Sequence, residues 1–162
     1  MANFEEELQH AGILISQQNL SEAKIILNRI LSENPNSGRA HSFMGWLYKE
    51  EEDHVFAEKH LKLALQLDPG FSPTYLNYAF LLSVHRRFAE LESLLQSAEM
   101  LADINKTDIA REWAYFYEDT EQYELAIEKY KEYALGLYEN ELIAKAKEAI
   151  IRCKNKLEIL NL

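Results

Sequence analysis

The sequence predicts an all-α chain built from stacked helical pairs, and three observations carry that prediction. Only five Gly and three Pro occur among 162 residues, while Glu, Leu, Ala and Lys abound. Matched residues recur at 34-residue spacing: Ala23 with Ala57, Leu27 with Leu61, Pro35 with Pro69, and Leu14 with Tyr48. Residues suited to helix caps and tight turns punctuate the stretches between them. A period of this length marks repeated supersecondary units, each leaving an apolar face that only a neighbour can cover.

The elements follow in order. The first repeat runs over about 4–37, with small Ala11 on its leading helix and Ala23 on its second. Gln18-Asn19 is the polar turn between them, short as a helix hairpin requires. The second, about 38–71, opens after Ser37 as N-cap, places Gly45 at the small position, turns at Glu51-Glu52-Asp53 with Asp53 as cap, and continues through Ala57. The third, about 72–106, is expected to start with Ser72 as N-cap and Pro73 at the first helical position. It carries Ala79, but bulky Leu91 where a small residue is expected, so a local adjustment is predicted there. The fourth, about 107–138, takes Thr107 as cap and Ala114 and Ala126 as small positions. Ala57 and Ala126 are 69 apart, which puts one extra residue around 104–106.

This pattern resembles the tetratricopeptide repeat family, whose signature is W-x2-L-G-x2-Y, then A-x3-F, then P. The best copy reads His41-x2-Met44-Gly45-x2-Tyr48, Ala57-x3-Leu61, Pro69. The first reads Ala11-x2-Leu14, Ala23-x3-Leu27, Pro35, and the third Tyr75-x2-Tyr78-Ala79-x2-Leu82, with Asp103 where Pro belongs. The fourth reads Trp113-Ala114-x2-Tyr117, Ala126-x3-Tyr130. The resemblance covers about residues 4–138. It implies a right-handed α-solenoid of about four repeats forming a single domain.

The remaining stretch, about 140–160, has a different pattern. Leu142, Ile143, Ala146, Ala149, Ile150, Cys153, Leu157 and Leu160 share one helical stripe about 120° wide, flanked by Lys145, Arg152, Lys156, Lys147 and Lys154. It is expected to cap the last repeat, with dimerisation or docking in the groove as alternatives. Ile151 and Ile159 lie outside the stripe and favour a second contact. Cys153 lies inside it, which suggests a buried thiol.

Composition excludes several function classes. A formal charge of −10 argues against binding phosphate backbones, which need a basic face. No apolar run approaches the ~20 residues of a membrane span, and nothing at the start reads as a secretory signal, so the expectation is a cytoplasmic protein. One cysteine excludes an intrachain disulfide framework. His10, His41, His54, His60 and His85 show no metal-ligand spacing, and glycines do not cluster into a phosphate loop. The run Glu50-Glu51-Glu52-Asp53 is expected to be a solvated turn. No catalytic residue, metal or cofactor is predicted, and the chain is not expected to be an enzyme.

In this family the first helix of each repeat lines a concave groove, and the residue after each small position points into it. Those residues are Gly12, Trp46, Phe80 and Tyr115, which suggests an aromatic ladder. Leu8, Ser42, Leu76 and Arg111 lie one turn earlier, Phe43 and Asn77 beside them, with Arg39 and Lys49 as further polar neighbours. Plain core packing and occupation by the tail helix are the alternatives. The carboxylate clamp of chaperone-binding members is rejected, because Leu8, Gly12, Phe43, Pro73 and Asn77 hold its positions. The function implied is a protein-interaction adaptor. A bacterial secretion-type chaperone of three such repeats and a self-assembling protein dimerising through the tail are the runners-up. Glu112, Glu118 and Asp119 suggest a basic ligand flank near the fourth repeat. Four Glu against five Lys or Arg in 139–162 leave that stretch at +1 and the rest of the chain at −11.

Overall fold

A computed structural model describes residues 4–161. All regular structure among them is helical, and the chain packs as two compact units, one through Leu81 and one from Leu82. The first holds α1 (Phe4–Ser16), α2 (Leu20–Glu33), α3 (Gly38–Glu50), α4 (His54–Leu67) and most of α5 (Ser72–Val84). The second holds the end of α5, then α6 (Phe88–Glu99), α7 (Lys106–Asp119), α8 (Tyr123–Leu135) and α9 (Asn140–Leu160). No helix among the described residues is long and apolar enough to cross a membrane.

The repeat is visible in the backbone itself. Gln18, Glu52, Arg86 and Glu121 all adopt positive φ, between 54° and 61°. Each sits in the three-residue turn that joins the two helices of a pair. The amide after each donates back to the carbonyl five residues earlier: Asn19 to Leu14, Asp53 to Tyr48, Arg87 to Leu82 and Gln122 to Tyr117. This six-to-one closure satisfies carbonyls the helix end leaves open and reverses the chain, at the cost of one left-handed residue. The extra residue lies between the last two turns. There α6 and α7 are joined by six residues, 100–105, whereas 34–37 and 68–71 are four-residue links.

Small residues set helix spacing as the sequence suggests. Ala11, Ala23, Ala57, Ala79, Ala114 and Ala126 are fully buried. A Cβ added to Gly45 would lie 2.5 Å from Leu61 Cγ, so α3 and α4 approach too closely there for a side chain on Gly45. Leu91 is buried too, so its extra bulk is absorbed inside the second unit. Capping matches at Ser37 and Asp53, whose side chains accept from the amides of Ala40 and Phe56. It differs at two starts. Ser72 is already helical, and Asn105, not Thr107, caps α7, because its side-chain oxygen reaches the amides of Thr107 and Asp108.

Each unit has its own core. In the first, Leu8, Ala11, Leu14, Ile15, Leu27, Ile30, Met44 and Leu47 pack together, with Phe43, Trp46 and Tyr48 leaning on them. The interior between α3 and α4 also holds a histidine pair. Nε2–H of His41 donates to the Pro35 carbonyl (3.0 Å), which leaves Nδ1 of His41 to accept from Nδ1–H of His60 (2.9 Å). Tyr48 stacks on His60, with ring centroids 5.5 Å apart.

In the second unit, Ala146, Ala149 and Cys153 of α9 insert among Ala126, Tyr123, Tyr130 and Tyr133 of α8. The tail helix therefore covers the last pair through the expected stripe. Leu160 departs from it and is exposed, so the packed stripe ends at Leu157. Cys153 is fully buried in this stripe, and burial pushes its thiol up to about 11.

Candidate interaction site

In the first unit the candidate residues form a linked surface on α3 and α5. Trp46 is half-buried, its ring resting on the core and its Nε1–H donating to Glu50 Oε1 at 3.0 Å. Glu50 also accepts from Gln18 Nε2 (3.2 Å) and pairs with Lys49 (3.2 Å). Burial raises the Glu50 carboxyl, but these donors more than offset it, so the group titrates below the ordinary carboxylate range. Lys49 Nζ reaches the other way, donating to Asn77 Oδ1 (3.0 Å) and sitting 5.2 Å from the Phe80 ring centre. Asn77 is fixed in turn by its amide, which donates to the Pro73 carbonyl at 3.1 Å. Phe80 itself is 44% exposed, edge-on to His54. A polar relay thus runs from Trp46 through Glu50 and Lys49 to Asn77 and Phe80.

Around it, Leu76 is half-buried and Arg39 is exposed. Arg39 lies over the Phe71 ring and pairs with Glu5 at 3.0 Å and with Asp68 at 3.5 Å. Two candidates behave differently from the rest. Leu8 is only 5% exposed and belongs to the core, so it does not line a surface. At Gly12 the missing side chain is replaced by Phe43: a Cβ there would lie 2.6 Å from its Cε1. Phe43 therefore fills the first rung from the neighbouring helix, between Trp46 and Phe71.

In the second unit, Tyr115 is 45% exposed and meets Tyr130 edge to face at 6.1 Å. It borders a cleft of about 280 Å³ together with Tyr133, Leu142, Lys145 and Arg152. The tail helix thus forms one wall beside Tyr115. Arg111 is half-buried and occupied by Glu112 (3.0 Å) and Asp108 (3.4 Å).

Two of the three carboxylates in the expected acidic cluster are ion-paired. Glu112 is paired with Arg111, Asp119 accepts from Ser83 Oγ, and Glu118 receives Arg152 (2.8 Å) and the Tyr130 hydroxyl (2.6 Å). Burial raises the Glu118 carboxyl, but those two donors hold it below the usual range. Sequence reasoning missed Glu50, which belongs to α3 and not to a solvated turn. The i,i+4 spacing of Trp46 and Glu50 was its available signal. It also missed that Glu5–Arg39 and Glu118–Arg152 are each 34 apart, so the repeat period sets inter-helix ion pairs as well as packing. Among the described residues no group of three or more His, Cys, Asp or Glu converges as a metal site would need.

No protein-family model and no curated protein matches the chain. Solved structures do. The crystal structure of TTC0263, a thermophilic TPR protein of Thermus thermophilus, matches with a TM-score of 0.77 at 15% identity, covering 93% of this chain and 82% of that one. The chain has the tetratricopeptide repeat fold. Pseudomonas aeruginosa PilF is similar over 97% of this chain and 91% of its own, with a TM-score of 0.58 at 17% identity.

Proposed function

We propose that the chain is a non-enzymatic, cytoplasmic adaptor that binds a peptide or helix of a partner protein on the faces carrying Trp46, Phe80 and Tyr115. The observation that carries this reading is Phe80, a large aromatic left nearly half in water yet held in place. Lys49 sits over its ring, Asn77 fixes Lys49, and Glu50 ties the relay to Trp46. Exposed aromatics on a rigid, preorganised support are the usual energetic centres of protein interfaces. The half-exposed Tyr115 offers an equivalent anchor in the second unit.

The test is to capture partners with the full chain and titrate the recovered partner against the Trp46→Ala, Phe80→Ala double variant. A loss of affinity on the order of 100-fold or more is expected, since each anchor contributes roughly 2 kcal/mol. Phe80→Ala alone, at an exposed position, controls for the folding cost of losing Trp46. Unchanged affinity in the double variant refutes the reading.

A further inference from the structure

The tail helix has two apolar faces, and packing on α8 uses only one. Directly opposite the buried stripe, Ile151 is 57% exposed and Ile159 is 65% exposed, with Asn155 midway between them and also exposed. At 3.6 residues per turn, Glu148, Ile151 and Ile159 each fall within about 40° of Asn155, a second seam about 80° wide and three turns long. These side chains border a shallow apolar surface together with Arg152 and Lys156.

We propose that this seam pairs with a second copy of the same chain, two α9 helices lying antiparallel about a two-fold axis at Asn155. The arrangement of residues is self-complementary in that register. Ile151 and Ile159 are equidistant from Asn155, so each Ile151 lies level with the partner's Ile159, closing two apolar layers. The two Asn155 amides meet on the axis, where a polar pair fixes register at some cost in stability. Along one edge, Lys154 comes within one turn of the partner's Glu158, twice by symmetry. Along the other edge Arg152 comes within one turn of the partner's Lys156, but Arg152 is already paired with Glu118, which lowers that repulsion. An isologous contact of this kind closes on itself, so it yields dimers and not filaments. Three turns of helix bury less than a standard interface, so the dimer is weak and concentration-dependent.

Sedimentation equilibrium of the full chain, from about 5 to 500 µM, reads this directly. Wild type is expected to move from monomer towards dimer across that range, and Ile151→Lys with Ile159→Lys to remain monomeric. Both positions face water in the single chain, so circular dichroism should show an unchanged fold. Lys154→Glu should weaken the dimer a few-fold, and adding Glu158→Lys should restore it, because the swap rebuilds both pairs. Asn155→Cys should form a disulfide-linked dimer under mild oxidation, whereas Cys153, being buried, should not. A wild type that stays monomeric throughout, or a double Lys variant that still dimerises, overturns the proposal. Dimerisation without the Asn155→Cys cross-link overturns the antiparallel register. None of these residues belongs to the Trp46–Phe80 surface, so partner binding and self-pairing fail independently.

Discussion

The left-handed turn residues hold stability that the sequence leaves unused. Glu52 has φ of 59° and an exposed side chain. An L-residue in that conformation costs about 1 kcal/mol that glycine avoids, partly offset by glycine's greater freedom when unfolded. Glu52→Gly is therefore expected to stabilise the protein by roughly 0.5 kcal/mol, and Glu52→Val to destabilise it by more than that. Thermal denaturation of both variants checks the sign. The histidine pair makes a second prediction at this scale. Burial, then the facing His41 and the nearby Lys59, lower His60 to about 4 from its ordinary 6.5. Its depressed folded value means the unfolded chain binds the proton more readily. The pair's contribution is complete above pH 6.5 and is lost as pH falls towards 4. Discounted for partial exposure, the loss is on the order of 1–2 kcal/mol. Melting temperature followed from pH 7 to 4 should fall less in His60→Phe than in wild type, and parallel curves would exclude the pair. Neither feature was legible in sequence. Four polar residues at 34- or 35-residue spacing look like ordinary turns, and two histidines 19 apart meet only after α3 and α4 pack.

Among the elements, legibility follows the small residues. Ala11, Ala23, Ala57, Ala79, Ala114 and Ala126 are recognisable because their size fixes how near two helices approach, and that spacing repeats with the chain. The same logic misplaces Leu8, which is buried in the core, while Phe43 takes the space beside Gly12. The docking of α9 was legible as a stripe, yet its electrostatic clasp was not, because Glu118 read as part of an acidic cluster. That clasp sets an order of costs. Glu118→Ala leaves the buried Tyr130 hydroxyl and Arg152 without their acceptor and should cost about 2 kcal/mol. Arg152→Ala leaves the Tyr130 bond intact and should cost under about 1 kcal/mol, since the pair is half in solvent. Urea denaturation of the two variants should reproduce that order, and the reverse would remove Glu118 as the pivot. Gly45→Ala should also destabilise, by about 1–2 kcal/mol, because the added methyl meets buried Leu61 Cγ with no room to yield.

At the scale of the whole molecule, charge and anchoring separate. The net charge of −10 remains, but Glu112 and Glu118 near the fourth repeat are paired with Arg111 and Arg152, while Asp119 accepts from the Ser83 hydroxyl. Lys24, Arg29, Arg39, Lys49 and Arg87 are likewise engaged, with Glu51, Glu7, Glu5, Glu50 and Glu90 in turn. With these pairs formed, the surplus negative charge rests on carboxylates outside them. A diffuse field speeds the approach of a basic partner and is screened within about 10 Å at 0.1 M salt, while contacts formed after docking set the residence time. For a basic-flanked amphipathic peptide recovered as a ligand, raising salt from about 0.05 to about 0.5 M should slow association by roughly tenfold or more and leave dissociation nearly unchanged. Phe80→Ala should do the opposite, speeding dissociation with little effect on association. Stopped-flow measurement of both rates decides the matter: a salt effect confined to dissociation would put the charge inside the contact and return the acidic residues to the binding face.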